Sequence, residues 1–479
     1  MPSDSPTQPV PDRPAPSSLE GLPLTRQSVD RLRAAVDDAF GSLVGELEAL
    51  VRIPSVSAPA FEQEHVERSA AAVADLLRDA GLTQVRVTRV PGGRPAVLGH
   101  RAGPDGAPHV LLYAHHDVQP PGEGWSTEPF EPHRVGERLF GRGAADDKAG
   151  VVAHVGALRA IGATYGEEWP VSVTVFVEGE EEIGSPTFAP FLRAHAEELA
   201  ADVVVVADST NWKVGIPALT TSLRGLVDVE VQVDVLDHAV HSGMFGGPVL
   251  DALTLLSRLV ATLHDDDGAV AIAGLVTSDE ADVDYPEAEL RAEAGVLDGV
   301  RLAGRGALAA RLWRQPALAV IGIDAPSIAH SSNTIRHTAR AKLSLRVAPG
   351  QDPVAAEEAL TAHLLGNAPF GARVSVTPGE RGTAFLAPGD APAMALARAA
   401  FEAAWGVRPV DTGVGGSIPF IADLLDLAPE ATILITGVED PDSRAHGADE
   451  SVHLGELARA TTAEAILLAA IGAASDRSD

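Results

Sequence analysis

The chemistry starts at His115 and Asp117 in YAHHDVQP (113–120), two residues apart at the end of an apolar run and therefore on one side of the chain, with His116 facing the other. A metal-bound imidazole usually donates its second N–H to a carboxylate, so an HxD pair can supply that partner or place both groups near one ion. GRGAADDKAG (141–150) sets Asp146 and Asp147 just ahead of a helical pattern, where carboxylates also serve as caps. Its glycines carry no nucleotide signature, because neither GxGxxG nor GxxxxGK[ST] occurs. EGEEEIGS (178–185) closes the mouth of VSVTVFV with Glu180, Glu181 and Glu182 bracketed by Gly179 and Gly184. Asp208 follows DVVVVA, and His446 follows ATILIT in the loop RAHGADE. Each feature alone reads as an ordinary strand end, cap or solvated turn. Together, two histidines and at least three carboxylates at the ends of four buried strands describe a centre suited to Zn²⁺, Mn²⁺ or Co²⁺. A carboxylate shared between ions about 3.5–4 Å apart is typical of co-catalytic hydrolases.

Positioning such a centre requires strands that end at one edge. HVLLYA (109–114), VSVTVFV (171–177), DVVVVA (202–207) and ATILIT (431–436) are nearly continuous apolar runs, as strands covered on both faces are. They predict an α/β fold, a mostly parallel central sheet flanked by helices, with ligands bound at the carboxyl ends of the strands. Helical periodicity from Ser28, the expected N-cap, to Pro54, and again over 64–80, supplies covering helices. The middle of the chain differs. Val227, Val229, Val231, Val233 and Val235 alternate with Asp228, Glu230, Gln232 and Asp234, the pattern of a strand buried on one face. Residues 339–347 and 372–377 alternate likewise, with helical patterns at 248–263 and 353–365. The expected organisation is a Pro- and Ser-rich disordered tail over 1–27, a catalytic domain in two parts (28–217 and 382–479), and an inserted α+β domain over 218–381. The acidic stretch 279–289 is expected to be a solvated loop.

Composition narrows the partners. Across 479 residues, 36 Lys and Arg against 67 Asp and Glu give a net charge of −31, which repels phosphate backbones and argues against nucleic acid. The absence of cysteine removes disulfides, thiolate-ligated zinc, iron–sulfur clusters and thiol nucleophiles. No run of 18 uncharged apolar residues marks a membrane span, and the N-terminus shows no basic or apolar secretory segment.

From about residue 28 onward, AHxDVQP, GRGxxDDK, EGxEExGS, the strand-end Asp, HSGxFGG (241–247) and the late His occur in the order found in a known family. The chain resembles the dinuclear zinc metallopeptidases that include aminoacylases, glutamate carboxypeptidases, desuccinylases and carnosinase-like nonspecific dipeptidases. The QP ending, DDK and HSGMFGG resemble the dipeptidase branch most. The resemblance implies His115 and Asp208 on one ion, Glu182 and His446 on the other, and Asp146 bridging both. Asp117 would orient the site, and Glu181 would act as general base on a metal-bridged water. The implied cofactor is two Zn²⁺ per subunit, with Mn²⁺ or Co²⁺ possible. The inserted domain is implied to be a ferredoxin-like lid that dimerises and sends His241 into the partner subunit's site. Asn333, Arg346 and the GGSIP loop (415–419), with Gly416 and Ser417, are implied to hold substrate. Ala114, where many members have Gly, and Arg336, where dipeptidases commonly have Pro, depart from the pattern. The implied protein is a cytoplasmic homodimer that hydrolyses dipeptides. An N-acyl-amino-acid deacylase would share every ligand. A non-catalytic metal-binding scaffold would be expected to have lost Glu181 or a ligand.

Overall fold

Valine-rich runs without alternation must be covered on both faces, and they form the centre of a sheet in the computed structural model, which describes residues 19–281, 283–416 and 419–475. Side by side lie Gln84–Thr88, Ala96–Arg101, Ser172–Glu178, His109–His115, Val203–Val206 and Thr432–Ile435. The last four are mutually parallel, and the first two join them antiparallel at one edge. Register decides what these strands present. His115 lies opposite Glu178, Tyr113 opposite Val206, and Ile435 opposite Val206, so the four carboxyl ends emerge together.

The helix Arg26–Val51 buries Val29, Leu32, Val36, Phe40, Leu43 and Leu47, three or four residues apart. Its N-cap is Thr25 rather than the expected Ser28. Thr25 Oγ1 accepts the Ser28 N–H at 3.1 Å, since a cap must precede the turn whose free N–H groups it satisfies. Leu19–Thr25 leads into this helix through a turn, so only residues 1–18 of the expected tail lie outside the described residues. Arg26–Val51, Lys148–Tyr165 and Leu454–Ser475 pack against one another. Leu454–Ser475 is long and apolar enough to cross a membrane by composition, yet it is buried nearly all round, as a core helix is.

Contacts divide the chain into two compact units, the second made of Thr221–Leu386 and Thr412–Pro419. The expected insertion, 218–381, therefore gains residues 412–419. Thr221 Oγ1 donates to Thr412 O at 3.2 Å and Arg224 N to Val414 O at 3.1 Å, pairings that no local pattern announces. In this unit an antiparallel sheet runs in the order Ala317–Asp324, Thr338–Val347, Gly225–Asp234, Arg373–Gly382. With Ala252–Ala261 and Pro353–Gly366 between strands, this is the βαββαβ ferredoxin-like arrangement. Val227, Val229, Val231 and Val233 pack with Leu255, Leu256, Leu259, Leu360 and Leu364, which accounts for the alternation. The expected loop at 279–289 ends instead in a short helix, Glu287–Glu293, started by Pro286 and helped by acidic residues in its first turn.

Candidate metal centre

The strand ends bring the separated motifs into one cluster. Asp146 sits between two histidines, its Oδ1 3.0 Å from His115 Nε2 and its Oδ2 3.0 Å from His446 Nε2. Asp208 Oδ2 lies 4.0 Å from His115 Nε2, and Glu182 Oε2 lies 3.2 Å from His446 Nε2. Two triads with ligand spacing result, His115–Asp146–Asp208 and Asp146–Glu182–His446, sharing Asp146.

Each side chain is held by a local device. His115 Nδ1 faces Asp117, 3.1 Å from its carbonyl oxygen and 3.4 Å from Oδ1, leaving Nε2 for the cluster. The Asp117 carboxylate accepts the backbone N–H groups of Glu181 (3.2 Å) and Glu182 (3.1 Å), so one side chain sets the backbone of both. Asp147 is not a side-chain cap. Its Oδ2 accepts the His115 N–H at 3.1 Å and anchors the strand end. Gly179 is required by space, because a Cβ there would stand 2.4 Å from Pro95 O and 2.8 Å from the His116 ring. Gly184, at φ +81°, closes the short turn Glu181–Ile183 in a conformation that favours glycine. His116 is structural, its Nε2 hydrogen-bonded to Pro95 O and its basicity lowered to about 4 by burial.

The electrostatics describe a crowd of buried acids. Burial, reinforced by Asp208, Glu182 and Asp117 against the pull of His115, pushes Glu181 up to about 8. Burial likewise raises Asp208 to about 6. Hydrogen bonds that its ring donates to Asp146 and Glu182 raise His446 to about 11. Burial disfavours charged His115, but its bonds to Asp117 and Asp146 win and raise it. Protons thus compensate the surplus negative charge, a task a divalent cation performs better at a nitrogen–oxygen donor set. The residues fit a metal centre.

Sequence reasoning missed several supports. The Gln119 backbone N–H and Nε2 donate to Glu182 at 2.9 and 2.8 Å, a role hinted at by its place in the HxDVQP motif. Glu180, in the variable position of EGxEE, is buried and accepts from Thr187 N, Thr187 Oγ1 and Arg94 N. Glu450 and Arg142 also support the site: Arg142 stands inside the GRGxxDDK motif, whereas no local signal distinguished Glu450.

Residues 111–470 match the family described as Peptidase family M20/M25/M40. The chain belongs to that family. This M20 chain is 34% identical over 425 residues to a cysteinylglycine-S-conjugate dipeptidase of Corynebacterium striatum, covering 87% of this chain and 92% of that one. It is 28% identical to a Beta-Ala-His dipeptidase of Rattus norvegicus, over 89% and 92% of the two chains. Human carnosine dipeptidase 1 superposes with a TM-score of 0.70 at 23% identity, covering 93% and 98%, which shows the shared fold.

The substrate-side candidates of this M20 chain lie in the second unit. Val240–His241 pairs with Thr334–Ile335, and the Ser242 N–H donates to Asn333 O at 3.0 Å, so His241 and Asn333 share one ribbon. His241 Nδ1 accepts the Gly243 N–H at 3.0 Å, which places the ring proton on Nε2. Arg346 stands on Thr338–Val347 and is half-buried in this chain. Beside it, Arg224 donates Nε to Gly415 O at 3.1 Å. Gly416 follows in an open bend, and Ser417 lies outside the described residues.

Proposed function

We propose that this chain is a metal-dependent dipeptidase using two divalent ions, Zn²⁺ first and Mn²⁺ or Co²⁺ as alternatives the donor set also suits. The observation that carries the reading is Asp146, whose two carboxylate oxygens face two separate histidines 3.0 Å away. Ions held there would polarise the scissile carbonyl and make water a nucleophile at neutral pH. In this reading His115 and Asp208 hold one ion, Glu182 and His446 the other. Glu181, made more basic by burial, takes a proton from the attacking water and returns it to the departing amine. Asp117 keeps Glu181 and Glu182 in place through their backbone N–H groups.

On the substrate side, the Arg346 guanidinium makes no hydrogen bond or ion pair with any described residue, which supports its use as a bidentate clamp for a free carboxylate. Arg224 adds positive charge beside it. Asn333, Gly416 and Ser417 complete the proposed substrate contacts. His241, with Nε2–H free to donate, suits the oxyanion formed when water attacks. Its exposure in the single chain agrees with action in the site of a second copy. The apolar edge strand Ala317–Asp324, with Val320, Ile321 and Ile323 exposed, supports a homodimer joined through the second unit. By the same resemblance we place the enzyme in the cytoplasm.

The test is a metal analysis joined to a substrate panel. Two ions per chain are expected, with activity lost to a strong chelator and restored by added metal. Free dipeptides should be cleaved far faster than tetrapeptides or C-terminally amidated dipeptides. Faster turnover of N-acetyl amino acids than of every dipeptide would favour the deacylase reading, and an active chain indifferent to chelation would sink both.

A further inference from the structure

One carboxylate near the cluster hydrogen-bonds, among the described residues, to no side chain of the proposed ligands, yet it accepts the backbone N–H of Asp146. Glu450 is 0% exposed. Its Oε1 accepts the backbone N–H groups of Ala145 (2.9 Å) and Asp146 (3.1 Å). Its Oε2 accepts Arg142 Nη1 (2.6 Å) and the Gly143 N–H (3.1 Å), and its own carbonyl accepts the Gly141 N–H (2.9 Å). The segment 141–146 is thus wrapped around a single side chain. Arg142 extends the arrangement, because its Nη2 reaches Gly447 O at 3.1 Å and its guanidinium lies over Trp125, 5.3 Å from the ring centre.

Gly447 follows His446, and that loop is strained. Arg444, His446 and Asp449 all adopt positive φ, at 55°, 62° and 59°. Non-glycine residues persist in that region only where the surroundings over-determine them. Glu450 closes the same loop four residues after His446. One buried ion pair therefore joins the backbone that carries Asp146 to the backbone that carries His446.

We propose that Glu450, acting with Arg142, is a positioning residue for the metal centre. It fixes the Asp146 peptide so that Oδ1 and Oδ2 face opposite histidines, and it holds the His446 loop at the distance that lets Asp146 be shared. This rests on the reading of Asp146 as the ligand common to two ions. The physical reason for a carboxylate here is its capacity: two oxygens accept four donors, which an amide cannot do, since its NH₂ would confront Arg142 and Gly143 as a further donor. Partners that orient metal ligands typically alter metal affinity or activity about 10–100-fold when replaced.

The test uses the full chain with Glu450→Gln, which is nearly isosteric, and Glu464→Gln as a control for loss of a buried carboxylate away from the cluster. Ion retention is measured against a competing chelator, the Co²⁺-substituted enzyme is examined by visible absorption, and kcat and KM are separated on one dipeptide. For Glu450→Gln we expect one of the two ions to be held roughly 10–100-fold more weakly, an altered cobalt spectrum, and kcat lowered about 10–100-fold with KM within about twofold. Glu464→Gln should change thermal stability but neither ion retention nor the spectrum. A folded Glu450→Gln chain with retention, spectrum and kcat all within about twofold of the parent would overturn the proposal. Should that variant not fold, Arg142→Lys keeps the charge but loses the second arm to Gly447. It should shift retention and spectrum in the same direction, and an unchanged centre would overturn the proposal as firmly. If the parent chain itself retains fewer than two ions, the shared-ligand reading fails first and this proposal falls with it.

Discussion

The two units bury their strands differently. In the first, Leu111, Leu112, Val175 and Val205 lie on strands covered on both faces, and the residues that follow those strands form the Asp146 cluster. In the second, only alternate residues of Gly225–Asp234 and Thr338–Val347 enter the core, and the edge strand leaves Ile321 and Ile323 more than half exposed. Met244, just after His241, is 75% exposed and Ile328 95%. A strand packed on both faces opens only at a cost close to global unfolding, so its ends can hold ligands to within the tolerance of a metal site. A sheet with one bare face and an apolar edge is suited to meeting something else. In the proposed reading the first unit carries chemistry that depends on rigidity, and the second carries the groups proposed to meet a partner or a substrate.

The sharpest break between the two is catalytic. Glu181→Gln should keep the fold and the ions yet lower kcat on the order of 10²–10⁴-fold, the usual worth of general-base catalysis, whereas Glu182→Gln should primarily weaken metal retention. Kinetics paired with elemental analysis on both variants decides it, and exchanged phenotypes would show that the base and the ligand had been assigned one residue out of register.

Next is His241→Ala, in the other unit. Losing an oxyanion donor should lower kcat about 10²–10³-fold with metal content intact. Because the donor is proposed to act in the partner's site, inactive His241→Ala and inactive Glu181→Gln subunits should recover activity when reshuffled into hybrid dimers. Proven subunit exchange without recovery would place His241 in its own subunit's site or outside catalysis.

Stability should divide the units more gently. Leu112→Ala, in the doubly covered strand, is expected to cost about 2–5 kcal/mol by denaturant unfolding. Ile321→Ala, on the exposed edge, should change unfolding by no more than about 0.5 kcal/mol while weakening self-association in sedimentation. Equal unfolding costs would erase the distinction drawn from burial.

The smallest effect concerns pH. His154 Nδ1 lies 2.8 Å from the Glu464 carboxylate and Nε2 3.0 Å from Tyr113 O, so both ring nitrogens face acceptors and the buried ring is held as imidazolium. Burial opposes that charge, but the Glu464 carboxylate outweighs it and raises the His154 value above 6.5. The stabilisation is therefore complete below about 6.5 and fades as pH climbs from there through the raised folded value, at no more than about 1.4 kcal/mol per pH unit. Thermal melts of His154→Gln/Glu464→Gln should lose that slope on the alkaline side, and an unchanged slope would assign it to other groups.

Particular residues show how much was legible beforehand. Runs such as DVVVVA announced strands covered on both faces, the valine alternation at 227–235 announced a one-sided sheet, and the residue types at 115, 146, 182, 208 and 446 announced a nitrogen–oxygen metal set, because burial and ligation chemistry act on side-chain identity and short spacing. Thr25 rather than Ser28 as the helix cap, and the helix at Glu287–Glu293, were misjudged at element ends, where one hydrogen bond decides the boundary. Glu450 was invisible: it is one of 67 acids, and its meaning comes from Arg142, 308 positions away, and Asp146, 304 positions away. Antiparallel pairing of Ser451–His453 with Arg138–Phe140 sets Glu450 beside 141–146, while parallel register levels His115, Glu178, Val206 and Ile435 at one edge of the central sheet. The sequence by itself determined which groups were available and what ion they suit. Only the tertiary structure decided that Asp146 would turn its two oxygens to two different histidines, since that orientation depends on backbone hydrogen bonds between segments the chain order keeps far apart.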